Sequence, residues 1–187
     1  MRNILMIDIE TTGTKPGCKI LSIGAFGFNE EGQQVSFYGK INPQKLAEEN
    51  FIDEYTTMEW WRKQDETVMF ETFSGQQGPA EVLAEFKAFF YKNFNPGRRD
   101  NCWFTVWSCG IDFDFPILSE LFRRMGFAFP WRFWQQRDYR TIRELFQEVK
   151  KAEGNVEKHN ALEDAKAQMR GLRYFIEQIP PSNPEIR

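Results

Sequence analysis

The 187-residue sequence lacks the features that define membrane, secreted and disulfide-rich proteins. No apolar run approaches the roughly 18 residues that a membrane-spanning helix needs, and the N-terminus has no pattern of an export signal. The cysteines Cys18, Cys102 and Cys109 are odd in number and do not have the spacing of metal ligands. We therefore expect reduced thiols in a cytoplasmic protein that does not associate with a membrane.

The composition indicates one folded domain with a substantial hydrophobic core. Hydrophobic residues make up 41% and aromatic residues 16% of the chain, which is too apolar for a disordered protein. The length suits a single domain, which we assign to residues 1–180, with a C-terminal tail at 181–187. The net charge of −3 leaves a nucleic-acid substrate open, because basic side chains can still be concentrated on one surface.

The hydrophobic pattern predicts a mixed α/β sheet flanked by helices. Strands are predicted at residues 3–9, 18–28, 34–41 and 103–107, and the turn at Glu30-Glu31-Gly32 joins the second and third into a hairpin. Helices are predicted at 57–64, from Pro79 to the Pro96-Gly97 pair, and at 114–125, 140–149 and 161–179.

Two carboxylates, Asp8 and Glu10, lie near the end of the first predicted strand. Side chains two apart on a strand point to the same face of the sheet. Ionised carboxylates held side by side repel each other, and their burial is costly unless a positive partner neutralises them. A divalent metal ion is the usual partner, so the pair predicts a metal site at a strand end.

A second candidate carboxylate, Asp114, follows the fourth predicted strand and precedes a helix. N-cap statistics alone favour a structural role, because an aspartate at this place accepts the free N–H groups of the first turn and Pro116 fits that turn. Asp112, two residues earlier, is interpreted as a solvated turn residue.

The last predicted helix begins with a capping-box pattern, Asn160 followed three residues later by Glu163. This pattern explains Glu163 and leaves Asp164 without a structural task. His159, the one histidine of the chain, lies just before the helix, and its ordinary pKa near 6.5 suits a general base at neutral pH.

At this point the chain resembles a known family. The motifs Asp8-x-Glu10-Thr-Thr-Gly, Phe113-Asp114 and His159-x-x-x-x-Asp164 match in order and spacing the three motifs of the DEDDh exonucleases, a DnaQ-like superfamily with an RNase H-like fold. The stretches 58–64 and 137–141 resemble its RNase T-like exoribonuclease branch. The resemblance implies a metal-dependent 3′–5′ exonuclease that releases nucleoside 5′-monophosphates from single-stranded 3′ ends of RNA or DNA.

The resemblance also implies roles for individual residues. The ligands of two Mg²⁺ or Mn²⁺ ions would be Asp8, Glu10, Asp114 and Asp164, and the general base would be His159. The turn formed by Thr11, Thr12 and Gly13 would lie against the terminal nucleotide, although an ordinary turn explains these residues equally well. Because enzymes of the RNase T-like branch often pair, a homodimer is an expected assembly.

Aromatic and basic side chains supply further candidates for substrate binding. Trp60 and Trp61 can stack on bases, but adjacent helical residues face different ways, so we expect one to be core and the other available. Basic pairs can contact phosphates, although most such charges are solvated surface. Lys158 is singled out because it precedes His159.

Two other functions compete with the exonuclease. A catalytically silent nucleic-acid-binding protein of the same fold would have lost a metal ligand, whereas all five motif positions are present here. A haloacid dehalogenase-like phosphatase also begins with two acids two residues apart. That family's second acid is an aspartate, not Glu10, and the phosphatase leaves His159 and Asp164 unexplained.

Overall fold

A five-stranded mixed sheet forms the centre of the protein. The computed structural model describes residues 3–94, 104–155 and 159–178. The strands are β1 (Ile4–Thr11), β2 (Ile20–Phe28), β3 (Gln34–Lys40), β4 (Thr105–Ser108) and β5 (Gln136–Asp138), arranged in the order β3-β2-β1-β4-β5. The first three strands form an antiparallel meander, and β4 and β5 run parallel to β1. The predicted mixed sheet is confirmed.

Helices pack against this sheet. They are α1 (Pro43–Glu48), α2 (Tyr55–Trp61), α3 (Glu66–Phe73), α4 (Pro79–Phe94), α5 (Asp114–Arg124), α6 (Tyr139–Leu145), α7 (Gln147–Ala152) and α8 (Ala161–Gln178). In the described part of the chain, no helix combines the length and the apolar character that a membrane crossing requires.

Alternation along β1 divides the apolar residues into two cores. The side chains of Leu5, Ile7 and Ile9 belong to a large core that also contains the aromatic face of α4 and the apolar face of α5. Ile4 and Met6 point to the other side of the sheet and pack in a smaller core with residues of α8. The carboxylates that follow in this second row therefore face α8 as well.

The structure corrects one predicted helix and adds three elements. Residues 140–149 do not form one helix, because Phe146 adopts extended backbone (φ −127°, ψ 95°) between α6 and α7 and its ring packs on Phe175 at 5.0 Å. The sequence prediction missed α1, α3 and β5, which are short elements of 6, 8 and 3 residues. The predicted boundary at residue 180 and the tail at 181–187 lie outside the described residues.

A glycine on β2 brings the last helix into direct contact with the sheet. Gly24 lies opposite Asp8 in the antiparallel register of β1 and β2. A Cβ atom on Gly24 would lie 2.1 Å from the carbonyl carbon of Ala161, the first residue of α8. Any side chain at this position would therefore displace the start of α8 from the sheet.

We expect Gly24→Ala to destabilise the protein by about 1–3 kcal/mol, because the added methyl group meets backbone atoms that cannot rotate away. Gly78→Ala is the matched control, since a Cβ there would first meet the flexible carboxylate of Glu81 at 3.3 Å. Urea unfolding of both variants measures the difference. Equal free energies of unfolding for the two variants would contradict the close contact between Gly24 and α8.

Candidate active site

The carboxylates of the first motif continue the row of β1 side chains that faces α8. Ile4 and Met6 are buried in the smaller core, and Asp8 and Glu10 follow at the same two-residue spacing. Glu10 is 9% exposed, and the strand register shifts directly after it. The two carboxylates therefore lie where the regular strand ends.

The start of α8 supplies the third carboxylate. The side chain of Asn160 caps the helix, because its Oδ1 atom accepts hydrogen bonds from the N–H groups of Leu162 and Glu163 at 3.1 and 3.2 Å. The Glu163 carboxylate pairs with Lys166 Nζ at 2.7 Å. The Asp164 carboxylate lies close to the acids of β1 and also interacts with the backbone N–H groups of His159 and Asn160, a contact at the helix start that the capping pattern did not predict.

Three acidic groups converge at this place. Among the described residues, carboxylate oxygens of Asp8, Glu10 and Asp164 all lie within 4.8 Å of one another. Asp114 is 2% exposed and its negative charge acts on both Asp8 and Glu10. We call these four residues the carboxylate cluster.

The N-cap role considered for Asp114 is wrong. Phe113 occupies the N-cap position of α5, and Asp114 is the first helical residue. Its carboxylate is buried and lies close enough to Asp8 and Glu10 for its charge to act on both, so it belongs to the carboxylate cluster. Asp112 is exposed, as predicted for a turn residue.

Burial disfavours the charged forms of all four carboxylates, and for Asp8 and Glu10 the charges of the other cluster acids add to this effect. Burial, followed by the charges of Asp164 and Asp114, raises the pKa of Glu10 to about 8. Burial likewise raises the pKa of Asp114 to about 7 and that of Asp164 to about 6. The pKa of Asp8 is raised well above its ordinary value by burial and then by its three acidic neighbours.

Gln168 is a site residue that the sequence interpretation missed. Its Nε2 atom donates a hydrogen bond to Asp8 Oδ1 at 2.8 Å, and it lies one helical turn after Asp164. Its Oε1 atom is buried without a hydrogen-bond partner among the described residues. The i, i+4 spacing from Asp164 on α8 is the sequence signal that points to it.

His159 lies beside the cluster in left-handed backbone with φ 67°. Its ring makes edge contacts with the rings of Trp60 and Trp61, at centroid distances of 4.8 and 5.8 Å. Its carbonyl oxygen accepts a hydrogen bond from the Thr72 hydroxyl at 3.3 Å. Contacts with α2 and α3 thus fix the position of His159, two residues before the start of α8.

The two tryptophans differ in exposure, which confirms the prediction that one is core and the other available. Trp61 is 1% exposed and its Nε1 atom donates to the carbonyl oxygen of Thr11 at 2.8 Å. Trp60 is 42% exposed. Trp61 therefore links the first motif to His159, and Trp60 presents a ring to solvent next to the histidine.

The turn after Glu10 is tightly packed within the protein. Thr11 donates to the carbonyl oxygen of Gly13 at 2.6 Å, and the fully buried Thr12 donates to that of Ile52 at 3.2 Å. A Cβ on Gly13 would lie 2.6 Å from Cys18 Cβ, so internal packing already requires this glycine. Contact of the turn with a nucleotide stays a prediction. Lys158 lies outside the described residues.

The raised pKa values predict that the metal-free protein becomes less stable as pH rises from 5 to 8. A carboxyl group whose pKa is higher in the folded state stabilises the fold at low pH, and this contribution is lost as pH rises through the folded pKa. Glu10→Gln should reduce the loss, by up to about 1.4 kcal/mol for each pKa unit removed.

Urea unfolding at pH 5 and pH 8 in the presence of a chelator measures this dependence. Asp112→Asn changes an exposed aspartate outside the cluster and should show the wild-type fall in stability. The interpretation is wrong if Glu10→Gln and the wild-type protein lose the same free energy of unfolding between the two pH values.

Solved nuclease structures share this fold. The nuclease domain of 3′hExo, a DEDDh family member bound to rAMP, superimposes with a TM-score of 0.64 at 13% identity, covering 94% of this chain and 92% of its own. Cell-death related nuclease 4 gives 0.64 at 12% identity, and E. coli exonuclease I in complex with a dT13 oligonucleotide gives 0.62 at 14%. The alignment with cell-death related nuclease 4 covers 93% of this chain and 63% of that protein. The alignment with exonuclease I covers 94% of this chain and 41% of that protein. The predicted RNase H-like fold is confirmed.

Sequence comparisons give the family. An exodeoxyribonuclease of Enterobacteria phage T4 is 22% identical over 160 residues, which cover 73% of this chain and 68% of the phage protein. Residues 3–176 match the model of a family described as the 3′–5′ exoribonuclease Rv2179c-like domain. Because this match covers nearly the whole sequence, the chain belongs to that family of 3′–5′ exoribonuclease domains and not to the haloacid dehalogenase-like phosphatases.

Proposed function

We propose that this protein removes nucleotides from single-stranded 3′ ends of RNA and releases nucleoside 5′-monophosphates. The observation that carries the proposal is the carboxylate cluster at the end of β1, with His159 beside it. The family description supports RNA as the substrate, whereas the phage relative is an exodeoxyribonuclease. RNA and DNA oligonucleotides are therefore both tested as substrates. The relatives' complexes with rAMP and dT13 support a nucleic-acid ligand.

The chemistry of the cluster fits divalent metal ions. Its donors are all carboxylate oxygens, the ligands that Mg²⁺ and Mn²⁺ prefer. Cations would relieve the repulsion that raises the pKa values of these groups, and the unpartnered Oε1 atom of Gln168 provides a buried acceptor for a metal-bound water. The residues that would hold two such ions are Asp8, Glu10, Asp114 and Asp164. When bound, the ions stabilise charge on the scissile phosphate and acidify a bound water.

We assign the general-base role to His159. Its ring would take a proton from the attacking water while the water oxygen forms a bond to the phosphorus of the terminal nucleotide. The bond from phosphorus to the 3′ oxygen of the preceding nucleotide breaks, and this oxygen takes a proton from solvent water, which leaves a new 3′-hydroxyl end. Ring contacts with Trp60 and Trp61 and the bond from Thr72 to its carbonyl oxygen restrict His159, whose backbone N–H interacts with the Asp164 carboxylate.

The exposed ring of Trp60 is proposed to stack on a base of the substrate strand. Every base has a π face, so such stacking tolerates any sequence. The backbone of the turn at residues 11–13 is the proposed seat of the terminal nucleotide, since the threonine hydroxyls are engaged in internal hydrogen bonds. Trp61 is assigned to holding this turn and His159 in place.

Substitution of neighbouring acids tests the metal ligands. Asp164→Asn should lower exonuclease activity with Mn²⁺ at least about a hundredfold, because even loss of an outer partner of a metal ligand costs 10–100-fold. Glu163→Gln changes the adjacent acid, which pairs with Lys166 and lies outside the carboxylate cluster, and should keep most activity. Full activity of Asp164→Asn would refute the ligand assignment.

His159→Ala should lower the rate by about 10²–10⁴-fold, the usual contribution of a general base.

A digestion experiment tests substrate and polarity together. Matched RNA and DNA oligonucleotides with single-stranded 3′ ends are incubated with the protein and Mn²⁺, and released nucleoside 5′-monophosphates are quantified. We expect release from RNA, and none from a strand that ends in a 3′-phosphate. If no nucleotide is released while a control exonuclease is active, the exonuclease proposal is wrong, and binding of the same oligonucleotides then tests the alternative of a catalytically silent binding protein.

A further inference from the structure

A groove between α6 and α7 concentrates positive charge in a protein whose net charge is −3. It has a volume of about 700 Å³. Its lining, which we call the basic groove, consists of Arg140, Arg143, Glu144, Gln147, Lys150 and Lys151. Four of these six side chains are cations and one is an anion, so the groove is suited to an anionic ligand.

The four cations of the basic groove differ in how far other groups of the protein already engage them. Arg143 and Lys151 are each paired with a glutamate, at 3.0 and 2.7 Å. The Arg140 guanidinium donates to the neutral carbonyl oxygen of Cys109 at 2.7 Å and is exposed. Lys150 is also exposed and forms no ion pair with any residue in the described ranges. The charge of Lys150 therefore faces solvent without a carboxylate partner in the described ranges, whereas the charge of Arg140 also acts on the Asp114 carboxylate.

The Arg140 end of the basic groove lies at the same edge of the sheet as the carboxylate cluster. The parallel strands β1, β4 and β5 end at this edge, and α6 begins directly after β5. The Arg140 guanidinium lies so close to Gly110 that a Cβ there would be 2.7 Å from Nη2. The carbonyl oxygen of Gly110 accepts a hydrogen bond from the backbone N–H of Asp114 at 3.2 Å. Arg140 therefore borders the turn that positions Asp114 of the carboxylate cluster.

We propose that the basic groove binds phosphates of the single-stranded segment upstream of the 3′-terminal nucleotide and guides the strand to the carboxylate cluster. This inference rests on the proposed exonuclease function. Four carboxylates repel a polyanion, and a positive surface beside them offsets that repulsion for the part of the strand that is not being cleaved. Contacts to phosphates do not depend on the base, which suits an enzyme that shortens strands of any sequence.

Binding is measured separately from hydrolysis, so that failure of either proposal is distinguishable. Fluorescence anisotropy of a 5′-labelled eight-nucleotide RNA is recorded with Mg²⁺ in the Asp164→Asn background, in which we expect cleavage to be slowed at least about a hundredfold. We expect Lys150→Glu to raise Kd about tenfold and Lys150→Arg to stay within twofold of the parent. Lys150→Ala should lower the slope of log affinity against log salt by about 0.7, the value for one lost phosphate contact on a single strand.

Lys92→Glu is the matched control, because Lys92 is an exposed lysine in the last turn of α4. Circular dichroism and thermal melting verify that each variant is folded. The groove proposal fails if Lys150→Glu binds like the parent, if Lys92→Glu weakens binding equally, or if an oligoglutamate peptide of equal charge competes as well as RNA. If Lys150 matters for binding but the wild-type protein releases no nucleotide, the exonuclease proposal fails and the groove stands.

Discussion

The contact between Gly24 and the first turn of α8 is the constraint on which the site depends. Because Gly24 has no side chain, the backbone of Ala161 lies directly on the sheet, opposite the strand position of Asp8. This places Asp164 over the first motif and His159 just outside the helix. Carboxylates separated by more than 150 residues in sequence can then meet within 4.8 Å.

The site is electrostatically unfavourable, and the packing around it supports it. Partly or wholly buried carboxylates with raised pKa values would separate if they lay on a mobile loop. Ile4 and Met6, which precede Asp8 on the same face of β1, are buried in the apolar core beneath α8. The side chain of Gln168 donates a hydrogen bond to Asp8. The aromatic contacts of Trp61 hold the histidine in the same way. The unfavourable electrostatic energy of the carboxylate cluster is thus offset by the burial of apolar side chains around it, as is common at functional sites.

The distribution of charge at this edge of the sheet has a common logic. The proposed substrate of this acidic protein is a polyanion, and four acidic side chains lie where the proposed chemistry occurs. Metal ions are the proposed neutralising partner within the cluster, and the basic groove is the proposed partner for the rest of the strand. Both arise because loops and helices that follow parallel strands converge at the carboxyl ends of those strands.

Local patterns in the sequence predicted much of this arrangement, because they depend on neighbours along the chain. The two-residue spacing of Asp8 and Glu10 indicates one face of a strand, and the capping pattern at Asn160 frees Asp164 for another role. The family resemblance added Asp114, for which local statistics favoured a helix cap. Short elements such as β5 were missed, since three residues carry no periodicity.

Tertiary structure decided what depends on contacts between distant segments. The bond from Gln168 to Asp8 joins residues 160 positions apart, and the break at Phe146 follows from packing on another helix. From the sequence, the Lys150-Lys151 pair is predicted to be ordinary solvated surface charge. The change of direction between α6 and α7 places Lys150 in the lining of a groove. The sequence alone determined which groups could perform the chemistry, and the packing of α6 and α8 on the sheet determined which of them meet, because distances across a fold are set by long-range contacts.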